Sequence, residues 1–158
     1  MPPLQPTQSI WFNGKFVPWD QANVHVLTHG LHYGTGYFEG IRAYKTGEGT
    51  SAVFRLKEHM QRFINSGKIM GIQTPYDLPA LEAAVIETME ANKMPAGYIR
   101  PLGFVGYGAL GVHPGENPIN TIISTWSWGA YLGAEGMDLG VRLKTSSFNR
   151  FHPNTPMG

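Results

Sequence analysis

The chain has 158 residues, 42% hydrophobic and 12% aromatic, enough for one ordinary domain or one domain and part of another. Its 12 basic and 11 acidic residues leave a net charge of +1, which gives no basic field for nucleic acid and no polybasic patch for a membrane. There is no cysteine, so disulfides, thiolate metal sites and a cysteine nucleophile are excluded.

In chain order, the opening "MPPLQPTQSI" lacks the basic and apolar regions of a signal peptide. No apolar run is long enough to cross a bilayer, so a soluble cytoplasmic protein is expected. "SIWFNGKFVPW" places Asn13-Gly14 between two β-prone runs, the strongest short hairpin signal. "GIRAYKT" alternates Ile41 and Ala43 against Arg42 and Tyr44, and "TSAVFRL" is a second strand candidate. The pattern then turns helical. Leu56, Met60, Phe63 and Ile64 share one face, and Leu81, Ala84, Val85 and Met89 share another, with Asp77 as N-cap and Pro79 in a first turn. "GYIRPLGFVGYG", "INTIISTWSW" and "DLGVRLKTSS" read as further strands, and "WGAYLGAEG" as a linker. Two helices among about six grouped strands predict an α+β layer fold with a mixed sheet. The chain closes on "SSFNRFHPNTPMG" with no further element to bury the last predicted strand, so the domain is expected to be truncated.

Several residues invite a chemical reading. "HYGTGYFEGIR" nearly spells a dinucleotide loop, but its glycines are spaced G-x-G-x-x-x-G and a strand pattern follows, where that fingerprint opens a helix. Glu39 also stands where an anion would come. These glycines either permit close backbone packing or let Tyr33, Phe38 and Gly40 line a pocket. His25, His29 and His32 lack metal-ligand spacing. Arg62 lies off its helix's apolar stripe with Glu58 one turn before it, so it is either a solvated ion pair or an anion clamp. Arg100 shares a strand face with Tyr98 and Leu102. A guanidinium set among apolar residues is costly without a partner, so it either pairs within the fold or binds a carboxylate ligand. Trp126, Trp128 and Tyr131 form either core or a substrate wall.

Taken in order, "IWFNGKFVPW", "HGLHYGTGYFEGIRAY", "FRLKEHMQRF", "YIRPLGFVGYGALGV", "WGAYLG" and "SSFNRFHPNTP" closely resemble the branched-chain amino acid aminotransferases, from Ile10 to the chain's end. These are fold-type IV enzymes that use pyridoxal 5'-phosphate (PLP). The resemblance implies a small α+β domain with two main helices, followed by a larger pseudo-barrel domain, with PLP between them. On this reading, 1–124 is the small domain, 125–135 the linker and 136–158 the start of the large domain with its first strand. Arg62 matches the arginine that binds the cofactor phosphate. Phe38, Gly40, Tyr98, Trp128 and Tyr131 match the substrate pocket, and Arg100 matches the arginine that helps place the substrate carboxylate. Tyr33, Leu110 and Val112 match positions donated across a homodimer or higher homo-oligomer. The substrates implied are branched-chain amino acids and 2-oxo acids, with selectivity of about 1–3 kcal/mol per methylene.

The same resemblance implies an absence. In the family the Schiff-base lysine follows shortly after the "PNT" turn, so it is expected beyond Gly158, and no catalytic residue is assigned here. Lys144 is the closest lysine in sequence but falls in the predicted strand. The carboxylate for the pyridine nitrogen belongs to the missing C-terminal domain as well. The chain is therefore expected to be an inactive N-terminal portion. Two alternatives are a D-amino acid aminotransferase or aminodeoxychorismate lyase of the same fold, against which "GIRAY", "YIRPL" and "GALGV" argue, and a non-catalytic stand-alone module.

Overall fold

Asn13 and Gly14 both take positive φ, 49° and 84°, as a two-residue hairpin turn requires. They join β1 (Ser9–Phe12) to β2 (Lys15–Pro18), antiparallel, as the sequence predicts. The computed structural model describes residues 4–47, 49–128, 136 and 138–149. The chain divides into two units, Met1–Trp128 and Gly129–Gly158.

The first unit continues with a five-residue helix α1 (His29–Tyr33), then β3 (Gly36–Phe38), β4 (Ile41–Lys45) and β5 (Ser51–Val53). Two longer helices follow, α2 (Leu56–Met70) and α3 (Leu78–Ala91), and then the long strands β6 (Gly97–Val105) and β7 (Ile119–Trp126). The predicted Asp77 cap is present, its carboxylate accepting from Ala80 N–H at 3.0 Å. The strands form one sheet in the order β2-β1-β7-β6-β4-β5, with β3 also on β6.

Every pairing in this sheet is antiparallel, where a mixed sheet was predicted. The connection explains it. β5 and β6 each run antiparallel to β4, so they point the same way, but β4 lies between them and no parallel neighbours arise.

One face of the sheet is covered. Ile41, Ala43, Ile99, Val105 and Ile123 point to that side, and Phe63 and Met60 from α2 and Leu81, Ala84 and Val85 from α3 complete the core. Ile41, Phe63, Leu81, Val85, Ile99 and Ile123 are at most 1% exposed. Both helical stripes read from the sequence are the ones that pack inward.

In the second unit, Gly136, Asp138 and Leu139 are helical and residues 141–149 are exposed without regular structure. The strand predicted over "DLGVRLKTSS" is thus not formed. A strand needs a ladder partner for its N–H and C=O groups, and none of the described strands pairs with it. No helix among the described residues is long and apolar enough to cross a membrane.

Candidate active site

The sheet's second face is the open one. Along β6 the residues alternate, with Ile99, Pro101, Gly103 and Val105 buried and Tyr98, Arg100 and Leu102 half-buried on the other side. β3 and β4 share one register on β6, Phe38 opposite Leu102 and Ile41 opposite Ile99, so they are one strand interrupted at Glu39 and Gly40. The interruption falls beside Pro101, whose carbonyl accepts Glu39 N–H at 3.0 Å but which has no N–H to return. Three consecutive residues are thereby sent to different tasks. Phe38 and Gly40 belong to the open face, and the Glu39 side chain points to the helix side.

On the open face, the Arg100 guanidinium lies 4.4 Å from the Phe38 ring centroid, 5.2 Å from Tyr98 and 5.8 Å from Trp126. Its Nη2 donates to Tyr98 Oη at 3.1 Å. Its Nε–H is sealed from solvent with no acceptor among the described residues. Trp128 meets Tyr98 edge-on at 4.6 Å and Trp126 at 5.8 Å, and its carbonyl accepts from Arg42 Nη2 at 2.8 Å. Gly40 allows this arrangement, because a Cβ there would come within 3.1 Å of Tyr98 Cζ and closer still to its hydroxyl. The sequence readings of Phe38, Gly40, Tyr98, Arg100 and Trp128 thus fall in one cluster, and Trp126 joins them. Tyr131 lies outside the described residues. Past Leu102 the same face becomes an apolar groove of about 380 Å³ between Ile10, Phe12, Leu31, Phe104 and Ile122.

Arg62 belongs to a second group. Its Nε and Nη2 donate to Glu39 Oε1 and Oε2 at 2.5 and 2.7 Å, and His59 Nδ1 lies 3.0 Å from the same carboxylate. A carboxylate accepts only, so Nδ1 carries the hydrogen in that bond. Glu39 is 4% exposed and Arg62 is 64% exposed. Burial alone would push the Glu39 carboxyl up, but hydrogen bonds and charge from Arg62 and His59 outweigh it and hold it below the usual carboxylate range. The bonds to Glu39 in turn raise the Arg62 guanidinium further. The sequence offered Glu58 as the partner of Arg62. Glu58 pairs instead with Arg55 at 3.0 Å, three residues earlier on the same helix turn. Arg55, Glu58, His59 and Arg62 line an open cavity of about 360 Å³.

A third group forms around His29, which is fully buried. Its Nε2 donates to Gly111 O at 2.8 Å, its Nδ1 lies 2.8 Å from Thr35 Oγ1, and its ring packs 4.5 Å from Tyr33. Asn117 holds the same loop through both backbone groups of Ala109, each at 2.8 Å. The histidine thus brings Tyr33 to the loop that carries Leu110 and Val112. All three residues are exposed, Val112 at 86%.

Sequence reasoning assigned no role to Glu39, His59 or His29. A signal for Glu39 existed, since it occupies an inward position of the alternation Tyr37, Glu39, Ile41, Ala43, where a charge needs a partner.

A family model for amino-transferase class IV matches residues 36–157. A branched-chain-amino-acid aminotransferase of Pseudomonas aeruginosa is 44% identical over 148 residues, covering 94% of this chain and 48% of that protein. The crystal structure of the Escherichia coli branched-chain amino acid aminotransferase superposes with a TM-score of 0.90 at 44% identity, covering 95% of this chain and 49% of the other. The T.th. branched-chain amino acid aminotransferase, solved with pyridoxamine 5'-phosphate, gives a TM-score of 0.76 at 48% identity over 83% of this chain and 43% of its own. This chain therefore spans about half the length of the relatives it matches. With the family model covering most of its residues, the α+β sheet and its open face are those of a member of the amino-transferase class IV family.

Proposed function

We propose that this chain supplies the substrate-recognition half of a PLP-dependent branched-chain aminotransferase, which passes the amino group of leucine, isoleucine or valine to 2-oxoglutarate. The observation that carries this reading is Arg100, a guanidinium held against three aromatic rings with its buried Nε–H left without an acceptor among the described residues. A ligand that suits such a place has a carboxylate beside an apolar body. Arg100 and the Tyr98 hydroxyl hold the carboxylate by charge-assisted hydrogen bonds. Phe38, Trp126 and Trp128 form a wall that excludes water from the aliphatic side chain, and the resemblance adds Tyr131 to the substrate residues. Gly40 leaves Tyr98 the room to stay in place.

The residues at Arg62 suit a phosphate ester. Arg62 Nη1 has no partner among the described residues, and His59 and Arg55 share its cavity. PLP, when bound, supplies the electron sink that lets an amino acid exchange its amine. Arg62 holds its phosphate. All six lysines of the chain are exposed, and none of the five in the first unit joins the described contacts of Arg100 or Arg62. We assign the proton-moving lysine and the carboxylate for the pyridine nitrogen to sequence corresponding to the relatives' other half. The division into 1–124, 125–135 and 136–158 belongs to the same proposal. So does a cytoplasmic homodimer, in which Tyr33, Leu110 and Val112 serve the neighbouring site. The exposed apolar side chains Val26, Leu31 and Val112 support that pairing.

The test is to load the full-length protein with PLP and to measure glutamate formed from 2-oxoglutarate with leucine, isoleucine, valine or D-alanine, and pyruvate released from aminodeoxychorismate. The reading expects leucine, isoleucine and valine to be preferred. Cofactor binding with no turnover of these three would overturn the substrate assignment.

A further inference from the structure

We infer that Glu39 is the positioning residue of the phosphate site, a role that rests on reading Arg62 as the phosphate ligand. Arg62 sits on an exposed helix face, where a long side chain samples many rotamers and loses that freedom on being fixed. Glu39 removes that freedom beforehand. Its two oxygens engage Nε and Nη2, one edge of the guanidinium, and so set the plane of the group and leave Nη1 turned away from the bond. His59 Nδ1 meets Oε2, the same oxygen that Arg62 Nη2 engages, and His59 lines the cavity together with Arg55 and Arg62. Glu58 contributes the cavity's negative charge and is matched by Arg55.

Three features favour positioning over simple stabilisation. The inward neighbours of Glu39 are Tyr37, Ile41 and Ala43, and an apolar residue would pack there without the desolvation that a carboxylate suffers. Arg62 stays largely in solvent, so the pair gains little from burial. Glu39 also shares its peptide segment with Phe38 and Gly40, which ties the orientation of the phosphate arginine to the carboxylate side of the substrate site. The glycine-spaced motif thus contributes to phosphate binding indirectly, by holding the arginine that does the binding.

The test uses the full-length apoprotein and three ligands: PLP, pyridoxal without phosphate, and inorganic phosphate. Groups that orient a ligand residue from behind are worth about 10–100-fold in affinity at metal sites, and an effect of that order is expected here. Glu39→Gln should weaken PLP and phosphate by at least about tenfold and leave pyridoxal within about twofold. Arg62→Ala should do the same, and the double variant should be no weaker than Arg62→Ala alone. Equal weakening of PLP and pyridoxal by Glu39→Gln, or unchanged PLP affinity, would overturn the inference while leaving Arg62 in place. If Arg62→Ala itself binds PLP normally, the phosphate reading of Arg62 falls and the inference falls with it. Should Glu39→Gln not fold, Glu39→Asp, which keeps the charge but withdraws it by one methylene, is read by the same ratio of PLP to pyridoxal affinity.

Discussion

The two faces of the sheet come from the same strands, residue by residue in alternation, yet they differ in almost every physical respect. On the helix side, Ile41, Ile99, Val105 and Ile123 meet Phe63, Leu81 and Val85 with essentially no exposure. On the open side, Tyr98, Arg100, Trp126 and Trp128 lie half-buried, with a guanidinium N–H unpaired. The first face is closely packed and holds the fold together, though the buried Tyr37 hydroxyl on it also lacks a hydrogen-bond partner among the described residues. The second carries polar capacity that the described residues leave unused, which is the expected cost of a binding surface. Glu39 is the exception that links them, a charge on the core side serving the site.

This contrast can be broken by substitution. The largest effect on stability is expected on the covered face. Phe63→Ala should destabilise by about 3–5 kcal/mol in denaturant titration, because a fully buried ring leaves a cavity under the sheet. Glu39→Gln should cost less, about 1–2 kcal/mol at neutral pH, since its charged partner Arg62 is mostly solvated. Its pH dependence has a definite sign. The Glu39 carboxyl is depressed in the folded state, so its contribution is present above the unfolded carboxylate value of about 4.3 and is lost as pH falls through the folded value. The stability gap between the native chain and Glu39→Gln should close as pH falls below the unfolded carboxylate value and through the folded one. Asp77→Ala removes the cap on α3 and should cost about 1 kcal/mol, read from the same titrations. Gly40→Ala should cost the fold about 1 kcal/mol or less, because only the far end of Tyr98 must move. Its effect should appear instead as weaker amino acid binding in the loaded enzyme.

How much of this was legible in the sequence follows from the range of each interaction. The Asn13-Gly14 hairpin, the Asp77 cap and both helical stripes are local, and each was readable from a few residues. So was the grouping of Tyr98, Arg100 and Leu102, because strand alternation is a local rule. The helix α1 has only five residues, too few to show a period. The antiparallel order depends on β4 inserting between β5 and β6, which no single strand encodes. The pairing of Arg62 with Glu39 spans 23 residues, and the local partner Glu58 was the natural reading. The strand expected in 136–158 had the right pattern but found no ladder among the described residues. Family resemblance, not spacing, singled out Arg62 and the Tyr33, Leu110 and Val112 group, and the structure then tied that group together through His29.

The most direct test of the central claim is Arg100→Met in the full-length, PLP-loaded protein, measured as kcat/KM for leucine together with the thermal midpoint. A charge-assisted contact to the substrate carboxylate is worth about 1.5–3 kcal/mol, whereas a half-buried guanidinium stacked on rings should contribute about 1 kcal/mol or less to folding. The account predicts that kcat/KM falls by at least about tenfold while the midpoint moves by only a few degrees. An unchanged kcat/KM, or a loss of activity explained wholly by unfolding, would contradict it.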